Sequence, residues 1–374
     1  MFAKSFRSSL QTAGRQFSSS SGGGGGGTAA IALAAVALGG AGYVYQRSEE
    51  KAASLEAKCN DLQVQLSGKT NSAFVFIKPH ACKGTPGKVE ALVEDSFRSH
   101  GIRITSQGEM KAETIDEKQY IDTHYGAIAS KAVKLQPKEL NVPDKGKAAF
   151  EKMFGEKWDD AIKAGKVYNA KDGAAKLGTD AAGMNDYWSK LSKKTELIKF
   201  GGGFYCGKVK DIYVMNGFYM EMRSAYTNPG EKIQWYTVSW PANALSWADF
   251  RGQVLGATDP ATAPSKSIRR EILDHYKDLG LKTKPNTGDN GVHASASPFE
   301  ALAERINWLG ASVDEDAFGK GLLTKVSKDT FTKWSEDAQV EVKGETAPGK
   351  TMSVFDTLED LDADTILVKL SKIQ

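Results

Sequence analysis

The order of strand and helix patterns along this chain predicts a mixed α/β (α+β) protein. Residues 73–78 are an apolar run of β-prone side chains that ends before a proline, which is typical of a buried strand. Apolar residues then recur at helical spacing over residues 87–100, and a second strand is predicted at 102–106. A strand of aromatic and β-branched residues follows at 233–240, and an amphipathic helix at 299–309. This order predicts a four-stranded ferredoxin-like sheet with helices.

The composition excludes several classes of protein. The chain has 374 residues, of which 40% are hydrophobic and 25% charged, as in a folded globular protein rather than a disordered one. Its 49 Lys and Arg against 46 Asp and Glu give a net charge of +3, which is too balanced for a nucleic-acid-binding protein. The three cysteines share no Cys-x-x-Cys spacing, which argues against a disulfide scaffold and against a cysteine zinc site.

The first 48 residues contain basic side chains and no acidic one. Residues 1–21 are basic and Ser-rich, with Phe2, Phe6 and Leu10 at helical spacing, which is typical of a mitochondrial transit peptide. A chloroplast or secretory signal is the alternative, but a secretory signal would place its apolar core directly after the basic start. Six glycines at 22–27 then form a flexible linker.

Residues 28–45 form an apolar run of 18 residues without a charge. A helix of this length spans about 27 Å, which is the short end of what crosses a bilayer. A buried Ala-rich helix of a soluble domain is the alternative, but the position between a glycine linker and a charged segment favours a transmembrane helix. Apolar residues at spacings of four and three then predict a helical stalk over residues 46–71.

The charges that flank the apolar run predict its orientation. Basic residues precede the run, whereas Arg47 and Lys51 beyond it are offset by Glu49 and Glu50. Basic residues stay on the side of a membrane from which they are hard to translocate. The sequence therefore predicts a single-pass protein of the mitochondrial inner membrane, with its N-terminus in the matrix and its main domain in the intermembrane space.

Five short motifs follow one another in the main domain. In chain order they are IKPH at 77–80, THY at 123–125, LGATDP at 255–260 with Ile268–Arg269, NGVHASAS at 290–297, and Glu304 eleven residues after His293. Together they resemble the nucleoside diphosphate kinase family, which has I-K-P-D, H-Y, G-x-T-N-P and N-x-x-H-[GA]-S-D in this order. The resemblance covers residues 72–133 and 233–309. It implies a kinase-like domain at 72–309 that is interrupted by an α/β insertion at 134–232 and followed by an extension at 310–374.

The resemblance implies that the chain transfers the terminal phosphate of a nucleoside triphosphate to a nucleoside diphosphate through a phosphohistidine. His293 would be the nucleophile, since a neutral imidazole is nucleophilic near neutral pH. Glu304 would orient and polarise its ring, with a solvated glutamate on a helix face as the alternative, and Ser295 would donate to the transferring phosphate. Lys78 and Arg269 would place positive charge near the phosphate oxygens, which phosphoryl transfer chiefly requires.

The resemblance also implies neutral contacts to the nucleotide and a metal that arrives with it. Tyr125, Thr258 and Asn290 would donate or accept hydrogen bonds at the phosphates or the ribose. Taken singly, each of these residues would be an ordinary surface residue. Mg²⁺ would be bound by the nucleotide phosphates and not by a protein cage, so no protein metal site is predicted. The family forms hexamers or tetramers, which implies a homo-oligomer.

The chain departs from the family pattern at four positions. Ala296 replaces the Asp of the histidine signature, which removes a carboxylate near the phosphates, and His80 replaces the Asp after Lys-Pro. Val133 lies near the position of the aromatic residue that stacks on the base. Arg251 precedes Gly256 by five residues, whereas the family's second arginine precedes this glycine by four. Arg251 would therefore need a local bulge to reach the phosphates.

The insertion is expected to contain a Lys- and Ala-rich helical part up to about residue 199, followed by a β-hairpin. Strands at 211–227 and 233–240 would be joined near Asn228, Pro229 and Gly230. The insertion is a candidate docking site for an unidentified protein partner, and its sequence does not indicate which.

Two further segments carry weaker patterns. Residues 202–208 fit G-x-x-x-x-G-K, but Val209 follows where a P-loop needs Ser or Thr for Mg²⁺, so a strand is predicted there instead. Residues 310–374 contain 13 acidic and 8 basic side chains and are expected to form a solvated tail. The alternative is that residues 366–370 form a last strand or a docking segment.

Three functions compete at this stage. The first is an active, membrane-tethered nucleoside diphosphate kinase. The second is a structural protein with a degenerate kinase domain in a mitochondrial membrane assembly, which Ala296, the missing stacking aromatic and the insertion favour. The third is a nucleotide sensor without turnover. Lys78, Arg269, Asn290 and His293 together favour catalysis, because a scaffold needs none of them.

Overall fold

The structure is a computed structural model that describes residues 51, 52, 54, 55, 58, 68–201, 203–347 and 349–373. The chain divides into two units, Met1–Leu62 and Gln63–Gln374. In the first unit the described residues are helical. The predicted transit peptide, glycine linker and transmembrane helix lie outside the described residues. In the part of the chain that the structure describes, no helix combines the length and the apolar character needed to cross a membrane.

The described residues form ten strands and a larger number of short helices. The strands are β1 (Thr70–Ile77), β2 (Arg103–Lys111), β3 (Val167–Asn169), β4 (Leu197–Gly201), β5 (Phe204–Val209), β6 (Ile212–Met215), β7 (Lys232–Pro241), β8 (Val292–Ala294), β9 (Gln339–Val340) and β10 (Met352–Ser353). The helices are α1 (Pro79–Cys82), α2 (Lys88–Ser99), α3 (Ala112–Glu117), α4 (Tyr120–His124), α5 (Gly126–Ala129), α6 (Asp144–Phe154), α7 (Trp158–Lys163), α8 (Ala170–Leu177), α9 (Ala181–Ser189), α10 (Tyr219–Thr227), α11 (Trp247–Asp249), α12 (Ile268–Asp274), α13 (Pro298–Leu309), α14 (Ala317–Leu323), α15 (Lys328–Trp334), α16 (Val354–Leu358) and α17 (Ala363–Lys369).

The predicted four-stranded sheet is confirmed. Its strand order is β2-β7-β1-β8, and every neighbouring pair is antiparallel. Helix α2 connects β1 to β2, and α12 lies between β7 and β8, which gives the ferredoxin-like βαββαβ connection once the insertion is set aside. The sheet therefore provides a fixed frame for the side chains at the ends of β1 and β8.

Strand β1 lies in the interior of this sheet and is buried on both faces. Val75 and Ile77 point into one apolar cluster, and Phe74 and Phe76 into another on the opposite face. A strand that is covered on both sides has no polar face, which explains the continuous apolar run. Pro79 begins the next helix, so Lys78 stands at the point where the strand ends.

The insertion forms a second four-stranded sheet of order β3-β6-β5-β4. The strand predicted at 202–208 is confirmed as β5. The predicted hairpin is wrong, because residues 219–227 form helix α10 and β7 pairs with β1 and β2 of the main sheet. Tyr219 and Tyr226, seven residues apart, are both buried, so the aromatic residues that suggested a strand form one face of a helix.

The prediction of a solvated C-terminal tail is also wrong. Residues 310–373, as far as described, form helices α14 to α17 and the short pair β9–β10. Their apolar side chains build a core cluster with Phe299 and Leu302 of α13, and Ile366 and Leu370 are buried in it. The acidic residues that suggested a tail lie largely at the surface and at helix N-termini, where Asp316 caps α14. The extension is therefore a packed part of the domain.

Candidate active site

Strand β8 and helix α13 bring the predicted nucleophile and its predicted partner together. His293 lies opposite Phe76 in the β1–β8 pair, and the two rings stack with their centroids 4.7 Å apart. Nε2 of His293 lies 2.7 Å from Oε1 of Glu304. A carboxylate can only accept a hydrogen bond, so this contact assigns the ring proton to Nε2. Nδ1 then carries the free electron pair, and no described residue forms a hydrogen bond to it.

Glu304 is a buried residue and not the solvated helix-face glutamate that was the alternative. It is 5% exposed, and its second carboxylate oxygen accepts a hydrogen bond from the Ser295 hydroxyl. Ser295 also contacts the backbone of Phe74 at 3.0 and 3.1 Å and is fully buried. Its single hydroxyl proton is therefore used inside the protein in this structure, whereas the expected role of Ser295 was donation to a phosphate.

A second histidine, which the sequence analysis gave no role, completes this group. The ring of His124 meets the ring of His293 edge-on, with centroids 4.6 Å apart. Its Nδ1 lies 3.3 Å from Oε1 of Glu304 and 3.4 Å from the indole nitrogen of Trp308. His124 belongs to the THY motif in which only Tyr125 was assigned a contact, so the motif itself contained the signal.

The same three side chains could hold a metal ion, although no metal site was predicted. The ligand atoms of His124, His293 and Glu304 lie within 4.8 Å of one another. Two imidazoles and one carboxylate suit a transition metal better than Mg²⁺, which prefers oxygen ligands. The hydrogen bonds between these groups account for their positions without an ion. Mg²⁺ therefore does not fit this cluster.

Burial and neighbouring cations determine the charge of the site. Burial, followed by the charges of Lys78, Arg269 and Arg251, lowers the pKa of His293 well below 6.5. Burial raises the pKa of Glu304 to about 7, although the nearby His124 lowers it. His293 is therefore neutral near pH 7, which is the state in which an imidazole can act as a nucleophile.

Two basic residues, Lys78 after strand β1 and Arg269 in helix α12, lie close enough to His293 to act on its charge. Lys78 donates from Nζ to the carbonyl of Gly288 at 2.9 Å. Arg269 in α12 is 9% exposed and donates to the carbonyls of Val292, at 3.1 and 3.3 Å, and Gly256, at 2.9 Å.

Burial and mutual repulsion weaken the positive charge of these two groups. Burial, followed by the charge of Arg269, lowers the pKa of Lys78 to about 8. Burial, followed by the charge of Arg251, lowers the pKa of Arg269 to about 10. An anion placed near these cations would relieve this repulsion, so the cluster favours an anionic ligand.

Arg251 reaches this cluster from an unusual turn. Residues Phe250–Leu255 form a π-helical turn, in which the amide of Gly256 donates to the carbonyl of Arg251 at 3.0 Å. A π-turn contains one residue more than an α-helical turn. This extra residue corresponds to the spacing of five instead of four between Arg251 and Gly256. Gly256 has a φ of 92°, and a Cβ there would collide with Ser267.

The three residues predicted to form neutral contacts differ in burial and in hydrogen bonding. Asn290 is 2% exposed and donates to the Thr258 carbonyl at 3.0 Å, while its own carbonyl oxygen has no partner among the described residues. Thr258 is exposed. Tyr125 forms a hydrogen bond with Tyr226, and burial raises the pKa of its phenol. The buried carbonyl oxygen of Asn290 is thus a hydrogen-bond acceptor that the described residues leave unsatisfied.

The other three residues that depart from the family pattern each contact another part of the chain. Nε2 of His80 accepts a hydrogen bond at 3.0 Å from the amide of Gly291, so His80 fixes the loop before His293. Val133 packs against an apolar cluster that consists largely of residues of the insertion. The carbonyl of Ala296 accepts a hydrogen bond at 2.9 Å from the amide of Asp360 in the extension.

Two adjacent cavities open beside the histidines. One of about 270 Å³ is lined by residues that include His124, Tyr125, His293, Glu300 and Phe355. The other, of about 750 Å³, shares five lining residues with the first: Thr123, His124, Tyr125, Ser335 and Phe355. Residues 126–128, 130 and 131, Lys134 at the start of the insertion and further residues of the extension also line it. Burial, followed by the charge of Glu304, raises the pKa of Glu300 to about 8. The extension thus forms a wall of both cavities, and the insertion contributes its first residue, Lys134, to the larger one.

The opposite ionisations of Glu304 and Lys78 predict a narrow pH optimum. Below a pH of about 7 Glu304 gains a proton, donates it to Nε2 and moves the ring proton to Nδ1, which blocks attack. Above a pH of about 8 Lys78 loses its charge. We expect kcat/KM for phosphate transfer to rise through the first value and to fall through the second.

A Lys78→Arg variant provides the control for this profile. Its guanidinium stays charged, so the alkaline limb should move upward while the acidic limb stays in place. An alkaline limb that is identical in both proteins would contradict the role of Lys78.

Comparisons with known proteins find only distant structural similarity. No family model matches the chain, and no curated protein matches it. The structure is similar to nucleoside diphosphate kinase from Encephalitozoon cuniculi, with 15% identity, a TM-score of 0.32, and coverage of 66% of this chain and 92% of that one. A nucleoside diphosphate kinase family protein from Babesia bovis has 12% identity, a TM-score of 0.30, and coverage of 64% and 87%.

The enzyme from Borrelia burgdorferi, solved with vanadate and ADP as a transition-state mimic, has 12% identity, a TM-score of 0.29, and coverage of 64% and 86%. Likeness at this level does not establish an activity, so the functional argument depends on the geometry around His293.

Proposed function

We propose that this chain is a nucleoside diphosphate kinase that transfers the terminal phosphate of a nucleoside triphosphate to a nucleoside diphosphate through a phosphohistidine. The observation that carries the proposal is the state of His293. Its Nε2 is bound to Glu304, its Nδ1 has no hydrogen-bond partner among the described residues, and burial with three nearby cations keeps the ring neutral. A buried, oriented and neutral imidazole beside positive charge is suited to attack a phosphate.

The proposed reaction has two balanced steps. In the first, the electron pair of His293 Nδ1 forms a bond to the terminal phosphorus, and the bond from that phosphorus to the bridging oxygen breaks, which releases the diphosphate. The positive charge that develops on the ring is stabilised by Glu304 through Nε2–H. In the second step an oxygen of another nucleoside diphosphate attacks the phosphorus and the N–P bond breaks. Mg²⁺, when bound with the nucleotide, neutralises phosphate charge.

Labelling with ATP tests this proposal directly. The purified protein is incubated with Mg²⁺ and ATP that carries ³²P at the terminal phosphate. We expect label on the protein that acid removes and alkali does not, since an N–P bond is acid-labile. Addition of an unlabelled nucleoside diphosphate should move the label into the corresponding triphosphate. A protein that binds nucleotide and never acquires label would contradict the proposal.

A catalytically inactive structural protein is the second candidate. Two observations favour it: Val133 is packed into the insertion, and Arg251 is bound by two acids of the extension. In that case the chain would acquire no label, and the cavity walls would instead bind a protein partner through the insertion.

The proposal includes the setting of the enzyme. Residues 28–45 tether the chain to the mitochondrial inner membrane, and the kinase domain lies in the intermembrane space as a homo-oligomer. Its support is the charge pattern around the apolar run.

Protease accessibility tests this topology. We expect a protease to digest the domain in mitochondria with ruptured outer membranes and to spare it in intact organelles. Protection that persists after rupture would place the domain in the matrix. Sedimentation of the detergent-solubilised protein measures its oligomeric state.

A further inference from the structure

The C-terminal extension contacts the candidate site at one of its cations. Nη1 of Arg251 donates to Oε1 of Glu359 at 2.7 Å and to Oδ1 of Asp360 at 2.6 Å. We call Glu359 and Asp360 the acidic clasp. Two carboxylates thus share one guanidinium nitrogen, and the three side chains together have a net charge of about −1.

The acidic clasp is held in place on both sides. The amide of Asp360 donates to the Ala296 carbonyl at 2.9 Å, in the loop that follows the candidate nucleophile. Just before the clasp, Leu358 is fully buried in the core of the extension. Just after it, Asp362 accepts a hydrogen bond at 2.7 Å from the amide of Trp247, in the segment that leads to Arg251. The ion pairs are therefore fixed by the fold.

Arg251 belongs electrostatically to the group around His293. Its charge lowers the pKa of both His293 and Arg269. For Arg269, burial has the larger effect and Arg251 comes next. For His293, burial, Lys78 and Arg269 have larger effects than Arg251. A phosphate that binds there needs the positive charge of Arg251, which the clasp now neutralises. Arginine binds phosphate and carboxylate with the same hydrogen-bond donors, so the two kinds of anion compete.

We propose that the acidic clasp competes with the nucleotide phosphates for Arg251, so that the C-terminal extension sets the nucleotide affinity of the site. This inference rests on the proposed function for the identity of the ligand. The clasp residues act against binding and do not touch the reacting atoms.

The test is the affinity for ADP with Mg²⁺ of a Glu359→Gln/Asp360→Asn variant, measured by calorimetric titration. The amides keep the shape of the side chains and remove both charges. We expect the Kd to fall about three- to tenfold, which is the range that two half-exposed ion pairs provide. The variant should also lose affinity more steeply with added salt, because salt no longer weakens a competing ion pair. A thermal melt confirms that the extension remains folded.

A charge-matched control separates the clasp from a general change in net charge. In an Asp314→Asn/Glu345→Gln variant the same number of acids is removed from the extension, but these pair with Lys328 and Lys369. We expect its Kd to equal that of the wild type. In an Arg251→Gln background the clasp substitution should give no further gain, since the group that it competes for is absent.

The outcomes separate this inference from the proposed function. An unchanged or higher Kd in the clasp variant, or an equal fall in the control variant, would overturn the competition. Tighter ADP binding without any phosphoenzyme in either protein would refute the kinase activity and leave the clasp standing. Normal phosphoenzyme with no change in Kd would refute the clasp and leave the kinase standing.

Discussion

We expect the His293→Ala variant to form no phosphoenzyme and to lose about 10⁴-fold or more in phosphate transfer, as enzymes do when a nucleophile is removed. Alanine has no electron pair with which to bond the phosphorus. The adjacent His124 is not a substitute, because its Nδ1 faces Glu304 and Trp308. Acid-labile ³²P on the protein and the formation of triphosphate measure both losses.

Two other histidines provide controls for this variant. His100 is exposed, and among the described residues its ring forms hydrogen bonds with Ser96 and Ser99, so His100→Ala should behave like the wild type. His80→Ala should retain the covalent step, although the amide of Gly291 loses its acceptor. Equal melting temperatures of the wild type and the His293→Ala variant would show that the loss is chemical. Label that persists in a folded His293→Ala protein would refute the assignment of the nucleophile.

The second large effect is expected at the cations. Lys78→Met should lower kcat/KM at least tenfold, or about 1.4 kcal/mol in transition-state terms, because a phosphate loses a charged donor. The variant should not be less stable than the wild type. Burial lowers the pKa of Lys78 to about 8, so the folded state disfavours its charge. Among the described residues, the side chain loses one hydrogen bond, to the Gly288 carbonyl.

Arg269→Ala should lose both activity and stability. Its guanidinium donates to the carbonyls of Val292 and Gly256, and a buried carbonyl without a donor costs about 1–3 kcal/mol. Comparison of kcat/KM and the melting temperature for Arg269→Ala and Lys78→Met therefore separates the electrostatic role from the structural one. If both variants transferred phosphate like the wild type, the structural-protein alternative would be preferred.

The sequence by itself determined the elements whose signals are local. Strand β1 is a continuous apolar run because both of its faces are buried, and Pro79 ends it directly after Lys78. His293 and Glu304 are eleven residues apart. His293 lies in strand β8 and Glu304 lies about two turns into the next helix, α13, so the connection between these two elements brings the residues near each other. The order of the strand and helix patterns likewise predicted the four-stranded sheet.

Only the tertiary structure decided the elements whose environment comes from distant parts of the chain. Residues 219–227 have the aromatic content of a strand, yet they form helix α10, which buries Tyr219 and Tyr226. The strand that was expected to pair with them, β7, pairs instead with β1, which is far away in sequence. The acidic composition of the extension suggested a solvated tail, since a count of charges does not show that its apolar side chains meet Phe299.

The partners of the site were decided in the same way. The buried Ser295, the second histidine at position 124 and the acids that bind Arg251 are separated from one another by long stretches of chain. Hydrogen bonds and ion pairs of this kind depend on distances of a few ångströms after folding. Sequence spacing therefore indicated which chemistry the chain carries, and the packing of the insertion and the extension decided what surrounds it.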